Sequence, residues 1–172
     1  NLLIDGDNGN TVEMWTKYDT TSTSMRCLFD LWNGTTVANP NSSDYCRFMI
    51  EARPSGSKLL SVTYISGTSG VERLSVGNTS SVSSGTWFHL AVRVENSDGT
   101  IRARVYINGE LDDTVFGGTS IVRAERDLVA NIGAYTSAPT NVARIAGGGM
   151  TWAGWGTPSF MIDEFRFWKS AR

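Results

Sequence analysis

The chain has 172 residues, 40% of them hydrophobic, and a net charge of −2, which suits one domain with a sizeable core. The near-neutral balance gives no electrostatic case for nucleic acid or an anionic membrane surface. No apolar run approaches the roughly 18–20 residues that span a bilayer.

The sequence opens almost directly in a strand-like run, without an initiator Met, and reads as one domain over residues 1–172 taken from a longer protein. The first strand candidates are residues 2–5, 11–18, 25–32 and 45–52, with a polar surface loop containing Pro40 at 33–44. Cys27 and Cys46 lie in neighbouring runs and leave two readings open, a cross-strand disulfide or two buried thiols. Residues 58–65 and 71–76 follow.

The clearest hairpin spans 86–108. Phe88, Leu90, Val92 and Val94 share one face of its first arm, and Ile101, Ala103, Val105 and Ile107 share one face of its second. Asn96-Ser97-Asp98-Gly99 supplies the turn. Asn108-Gly109 starts a second turn into a third arm at 110–116, making a meander with one apolar face. A strand at 128–134 and a Gly-rich surface loop at 136–158 lead to the final run, Phe160–Trp168. Period-two alternation there places Met161, Asp163, Phe165 and Phe167 together, so an aspartate shares a face with two aromatic rings and needs a partner. No segment has a helical period. About ten or eleven short antiparallel strands predict an all-β, two-sheet sandwich.

Five stretches, in order, carry a resemblance. They are Val12-Glu13-Met14-Trp15-Thr16-Lys17, Gly85-Thr86-Trp87-Phe88-His89-Leu90-Ala91-Val92, Arg104-Val105-Tyr106-Ile107-Asn108-Gly109-Glu110-Leu111, Asn131-Ile132-Gly133, and Ile162-Asp163-Glu164-Phe165-Arg166-Phe167-Trp168. Each is short, but the ordered set resembles laminin G-like domains of the concanavalin A-like jelly-roll superfamily. The resemblance implies two curved antiparallel sheets. It also implies a binding module in a larger extracellular, cell-surface or virion-surface protein, with a glycan or a protein surface as ligand. Some concanavalin A-like relatives are glycoside hydrolases, so the site must decide function.

Glycoside hydrolysis needs two carboxyl groups flanking the scissile bond. The Glu-x-Asp-x-x-Glu strand of laminarinase-like relatives is missing here. The nearest acidic pairs, Asp112-Asp113 and Asp163-Glu164, would point to opposite faces within strands. The lone histidine, His89, cannot build a His-rich zinc site, and no Gly-x-Ser-x-Gly elbow accompanies it. It reads as a packing or hydrogen-bonding residue between the sheets. No catalytic residue is expected.

Calcium is the cofactor the resemblance implies, since in calcium-binding jelly rolls of this superfamily a last-strand Asp joins main-chain carbonyls near the N-terminal strand. Asp163 is then the candidate ligand, with Asp5, Asp7 and Asp30 as lesser ones; the alternative is that backbone N–H groups or an arginine satisfy Asp163. Among the six tryptophans, Trp15, Trp87 and Trp168 read as core. Trp32, beside the Asn33-Gly34 turn, and Trp152 and Trp155, in the Gly-rich loop, are the candidate ligand contacts, because aromatic faces stack on sugars and anchor protein interfaces. The loop could instead fold over a sheet edge and bury both of its rings. The rival role is a virion decoration, capsid or fibre domain touching other subunits.

Overall fold

The computed structural model describes residues 2–18, 26–33, 45–52, 57–124, 128–133 and 160–172. Among them are ten strands: β1 (Asn10–Tyr18), β2 (Arg26–Trp32), β3 (Cys46–Ala52), β4 (Lys58–Ser66), β5 (Ser69–Asn78), β6 (Phe88–Ser97), β7 (Thr100–Ile107), β8 (Glu110–Gly117), β9 (Val129–Ile132) and β10 (Phe160–Trp168). One 3₁₀ turn, Thr79–Ser81, is the only helical piece among the described residues, so none there is long and apolar enough to cross a membrane. The strands form two antiparallel sheets. Sheet I has the order β10-β1-β6-β7-β8 and sheet II the order β5-β4-β3-β2-β9. Residues 2–5 make only an isolated bridge, Ile4 to Ala124, in place of the expected strand.

The inner faces follow the expected alternation. Val12 and Met14 of β1, Phe88 to Val94 on β6 and Ile101 to Ile107 on β7 meet Phe29, Leu31, Phe48, Ile50, Val62 and Tyr64 of sheet II. Phe29 ties the layers together: its ring centroid lies 5.3 Å from Phe165 and 5.7 Å from Phe167 of β10, and 5.6 Å from Phe48 of β3. Tyr64 closes the row edge-on to Phe48, its hydroxyl 2.7 Å from Asn10 Oδ1 and 2.9 Å from the Asp5 carbonyl.

Strand β10 departs from its expected pattern. Glu13 of β1 faces Arg166 and Trp15 faces Asp163, so β10 carries one residue more than its partner between these pairs. The bulge includes Glu164, at φ +47°. A one-residue insertion switches the face of everything beyond it. Phe160 and Ile162 therefore pack inward before the bulge, Phe165 and Phe167 after it, and Met161 and Asp163 point outward. The inward aspartate of the sequence reading is corrected: Asp163 is exposed, and its Oδ1 accepts the Glu164 N–H at 2.8 Å.

The other acidic pair also falls at a bulge, where Val105 faces Asp113 and Tyr106 faces Leu111, leaving Asp112 without a cross-strand partner. Asp112 and Asp113 do not diverge to opposite faces. Both clamp β8 to sheet II: Asp112 Oδ2 accepts the Asn78 N–H at 2.7 Å, and Asp113 Oδ2 accepts from Lys58 Nζ at 2.6 Å and the Gly77 N–H at 2.9 Å. Burial pushes the Asp113 carboxyl up, but the Lys58 and Gly77 bonds outweigh it and hold the group below the usual carboxylate range.

Cys27 and Cys46 are both free and buried, which decides for thiols over a disulfide. Burial, helped by Asp30 and Glu51, pushes the Cys27 thiol well up, so it stays protonated and unreactive.

Candidate ligand-binding face

Each sheet also has an outer face, and the two differ. On sheet II half of the outer residues of β2 and β3 are charged: Cys27, Asp30 and Trp32 face Glu51, Met49 and Arg47. An antiparallel sheet commonly leaves such a face to water, yet these side chains are buried. Arg47 grips Asp30 with a two-pronged bond, Nε to Oδ1 and Nη2 to Oδ2, both 2.7 Å. Its guanidinium carbon lies 5.4 Å from the centre of the Trp32 ring, and Nη1 reaches the Tyr45 hydroxyl at 3.5 Å. Burial works against the Arg47 charge, but the Asp30 carboxylate more than offsets it and raises the pKa above that of a free arginine. Glu51 is paired with Arg73 at 3.3 Å.

Trp32 is thus only 6% exposed. It packs under a cation, and its indole Nε1 has no hydrogen-bond partner among the described residues. The structure does not offer it at the surface as a ligand contact. Trp152 and Trp155 lie outside the described residues. Asp30, read as a lesser calcium ligand, is committed to Arg47.

Sheet I presents the accessible face. In β1, Val12, Met14 and Thr16 are buried, which sends Glu13, Trp15 and Lys17 outward. In β6 the inward parity of Phe88 and Leu90 likewise turns His89 out, and Trp87, just before the strand, is exposed too. Trp15 is 40% exposed and Trp87 42% exposed, so neither is a core residue. Trp168 is also displaced from the core, half-buried beneath the Arg172 guanidinium, whose carbon lies 3.8 Å from the ring centre.

Across the sheet, Trp15 faces His89 on β6 and Asp163 on β10. The Trp15 and His89 rings meet edge-on, centroids 5.6 Å apart at 67°. His89 is therefore an outer-face residue and does not pack between the sheets. Its backbone is fixed by Asn108, whose Oδ1 accepts the His89 N–H and whose N–H donates to the His89 carbonyl, both at 2.9 Å. Asn108 sits at φ +52°, a left-handed position that asparagine tolerates. The result is an exposed Trp15 ring with an imidazole on one side and, on the other, the Asp163 carboxylate, held by the Glu164 N–H.

Two strand steps beyond His89 the same face becomes basic. Arg93 faces Arg104 directly across β6 and β7, and Glu95 faces Arg102. Glu95 Oε2 accepts from Arg93 at 2.7 Å; Oε1 accepts from Arg102 at 2.6 and 2.9 Å and from Arg104 at 3.1 Å. Burial pushes the Glu95 carboxyl up, but bonds from Arg93 and Arg102 prevail and hold it below the usual range.

A calcium ion at Asp163 would draw on main-chain carbonyls more than on carboxylates. No group of three His, Cys, Asp or Glu residues comes together among the described residues. The oxygens of Asp5 are occupied by N–H donors: Oδ1 takes those of Asp7 and Asn8 at 3.0 and 3.2 Å, and Oδ2 takes Asn8 Nδ2 at 2.8 Å. Asp7 accepts from Asn96 Nδ2 at 2.8 Å. The expected result is that Asp163→Asn leaves unchanged any difference in melting temperature between calcium and chelator. A calcium-dependent rise lost in the variant would place the ion there.

The alternation within residues 11–17 already carried the signal that Trp15 keeps company with Glu13 and Lys17; the family match of its strand argued for the core instead. Nothing comparable marked the burial of Arg47, which depends on residues remote in sequence.

A family model of the concanavalin A-like lectin/glucanases superfamily, laminin G type, matches residues 1–172. Comparison with curated proteins gives no match. Domains of this type are generally non-catalytic and typically extracellular or surface-associated, though the superfamily includes glycosidases. With two five-stranded antiparallel sheets and a match over its whole length, the chain belongs to the laminin G-like domains of the concanavalin A-like superfamily.

Proposed function

We propose that this chain is a non-catalytic recognition module that holds a glycan on the outer face of sheet I, as part of a larger extracellular or virion-surface protein. The observation that supports the reading is the exposed Trp15 ring, backed by His89 and flanked by Asp163. An aromatic face buries the apolar side of a sugar ring, while carboxylate and imidazole groups beside it take the hydroxyls. The acidic groups do not resemble a glycosidase pair. Asp113 is held ionised by Lys58, and a general acid has to carry a proton; both oxygens of Asp30 are engaged by Arg47.

On a glycan array, wild type should give a signal that Trp15→Ala weakens about tenfold, the scale of one good aromatic contact. An unchanged melting temperature would show that the loss is local. An array silent for wild type, or unmoved by Trp15→Ala, would sink the reading. A Trp152→Ala/Trp155→Ala arm tests the loop tryptophans in the same way.

A second reading, protein contacts within a larger assembly, has its own support. The edge strand β8 exposes Leu111 and Phe116, and β9 exposes Val129 and Ile132. Concentration-dependent sedimentation abolished by Leu111→Ser/Phe116→Ser would favour it.

A further inference from the structure

We infer that the sugar chain taken by this face is an acidic one, a polyuronate, whose carboxylate is held by Arg93 and Arg104 while a neighbouring ring stacks on Trp15. The inference rests on the glycan reading above and adds the charge and direction of the ligand.

It begins with an imbalance. Like charges directly opposite on neighbouring strands repel, and Arg93 and Arg104 are such a pair. Glu95 bridges them, but this one carboxylate serves three guanidiniums, leaving a local excess of two positive charges in a chain whose net charge is −2. Each guanidinium has five N–H donors, and Glu95 takes four bonds from all three together. The nearest outward acid on β1, Glu13, is paired with Arg166. Fixed, partly exposed guanidiniums with donors to spare match a planar carboxylate better than an ammonium would.

The geometry then links this patch to the Trp15 ring. His89 and Arg93 lie on the same face of β6, four residues or about 13 Å apart. Between them stands Ala91, with Glu13 of β1 on one side and Tyr106 of β7 on the other. Trp15 borders one end of that row through His89, and Arg104 borders the other through Arg93. A chain of several sugars can therefore touch both ends. Asp163 beside Trp15 repels a carboxylate there and accepts hydroxyls instead, so the acidic group is directed to the arginine end.

The test uses polygalacturonate and its fully methyl-esterified form, which share a backbone and differ in charge, with binding followed by calorimetry at low and high salt. Wild type should bind the acid form at least tenfold more tightly at low salt, and the preference should shrink as salt rises. Arg93→Gln/Arg104→Gln should bind both forms alike, and Trp15→Ala should weaken both. Arg93→Lys/Arg104→Lys keeps the charge that balances Glu95 and loses the fork. It should retain part of the preference, and it serves if the glutamine variant fails to fold.

Equal binding of the two polymers by wild type would overturn the inference. So would a preference that survives in Arg93→Gln/Arg104→Gln or is undiminished in Arg93→Lys/Arg104→Lys, or a sulfated polysaccharide bound ahead of polygalacturonate. Binding only to neutral glycans on the array would overturn it while leaving the recognition module standing; no glycan binding at all would remove both.

Discussion

Arg47→Met is expected to destabilise the fold by about 3–5 kcal/mol, because it removes a two-pronged guanidinium from a fully buried carboxylate. At this chain length that lowers the melting temperature by roughly 10 °C. Arg47 and Asp30 are 1% and 0% exposed at the side chain and share two 2.7 Å bonds. Their mutual attraction offsets a large desolvation cost, so the loss comes from taking this partner away from one member more than from the pair's net worth. The double variant Asp30→Leu/Arg47→Met should therefore recover most of the loss, since neither charge then needs a partner. Urea unfolding of wild type and both variants reads this directly. A single variant within about 1 kcal/mol of wild type would show that Asp30 finds other compensation, and the account of this face would fail.

Gly70→Ala should be similarly damaging, by about 3 kcal/mol, for a steric reason. Gly70 sits at φ +117°, where a side chain is strained, and a Cβ there would run into the Tyr64 carbonyl oxygen and come within 2.8 Å of Ile65 Cα. Its carbonyl accepts the Thr119 N–H at 3.1 Å and its own N–H donates to Thr119 Oγ1 at 3.1 Å. A Cβ on Gly118 would in turn strike the Gly70 carbonyl. These two glycines let the start of β5 in sheet II lie against the chain leaving β8 in sheet I. Gly109→Ala is the control. It has φ +88° but open space around it, so only the backbone term of about 1 kcal/mol applies. Equal urea midpoints for the two variants would remove the close-approach argument.

Much of the fold was readable because its strands alternate cleanly. The Phe88-to-Val94 and Ile101-to-Ile107 faces sit inward as the pattern says, and the Asp98-Gly99 turn joins them. Pairings across long separations, β1 with β10 and β2 with β9, leave no periodic trace. Alternation fails at bulges, since a pattern of period two carries no mark of an inserted residue. Asp163 was misplaced for that reason, and the Asp112-Asp113 pair was misjudged in the same way. The candidate site was less legible. Trp15 and Trp87 read as core because they fall in stretches that match the family, although the alternation of β1 turns Trp15 outward, and Trp32 read as a contact by its position at a strand end. Conversely, Arg93, Glu95, Arg102 and Arg104 were visible as outward residues, but their convergence on one carboxylate is a property of the cross-strand register.

The pairing of β1 with β10 has a mechanical consequence. Thr11 lies opposite Trp168, so the start of the first strand and the end of the last leave sheet I side by side. Tension applied through both ends pulls this pair apart from one end, after breaking the Ala171 to Asn8 bond that lies outside it. The ladder then opens like a zipper, one hydrogen bond at a time, instead of shearing as a set. A ligand-bearing domain built this way yields at low force, with β10 peeling off first and taking Asp163 away from Trp15. Load on the chain ends and the pairing of Asp163 with Trp15 are thus opposed by the topology itself.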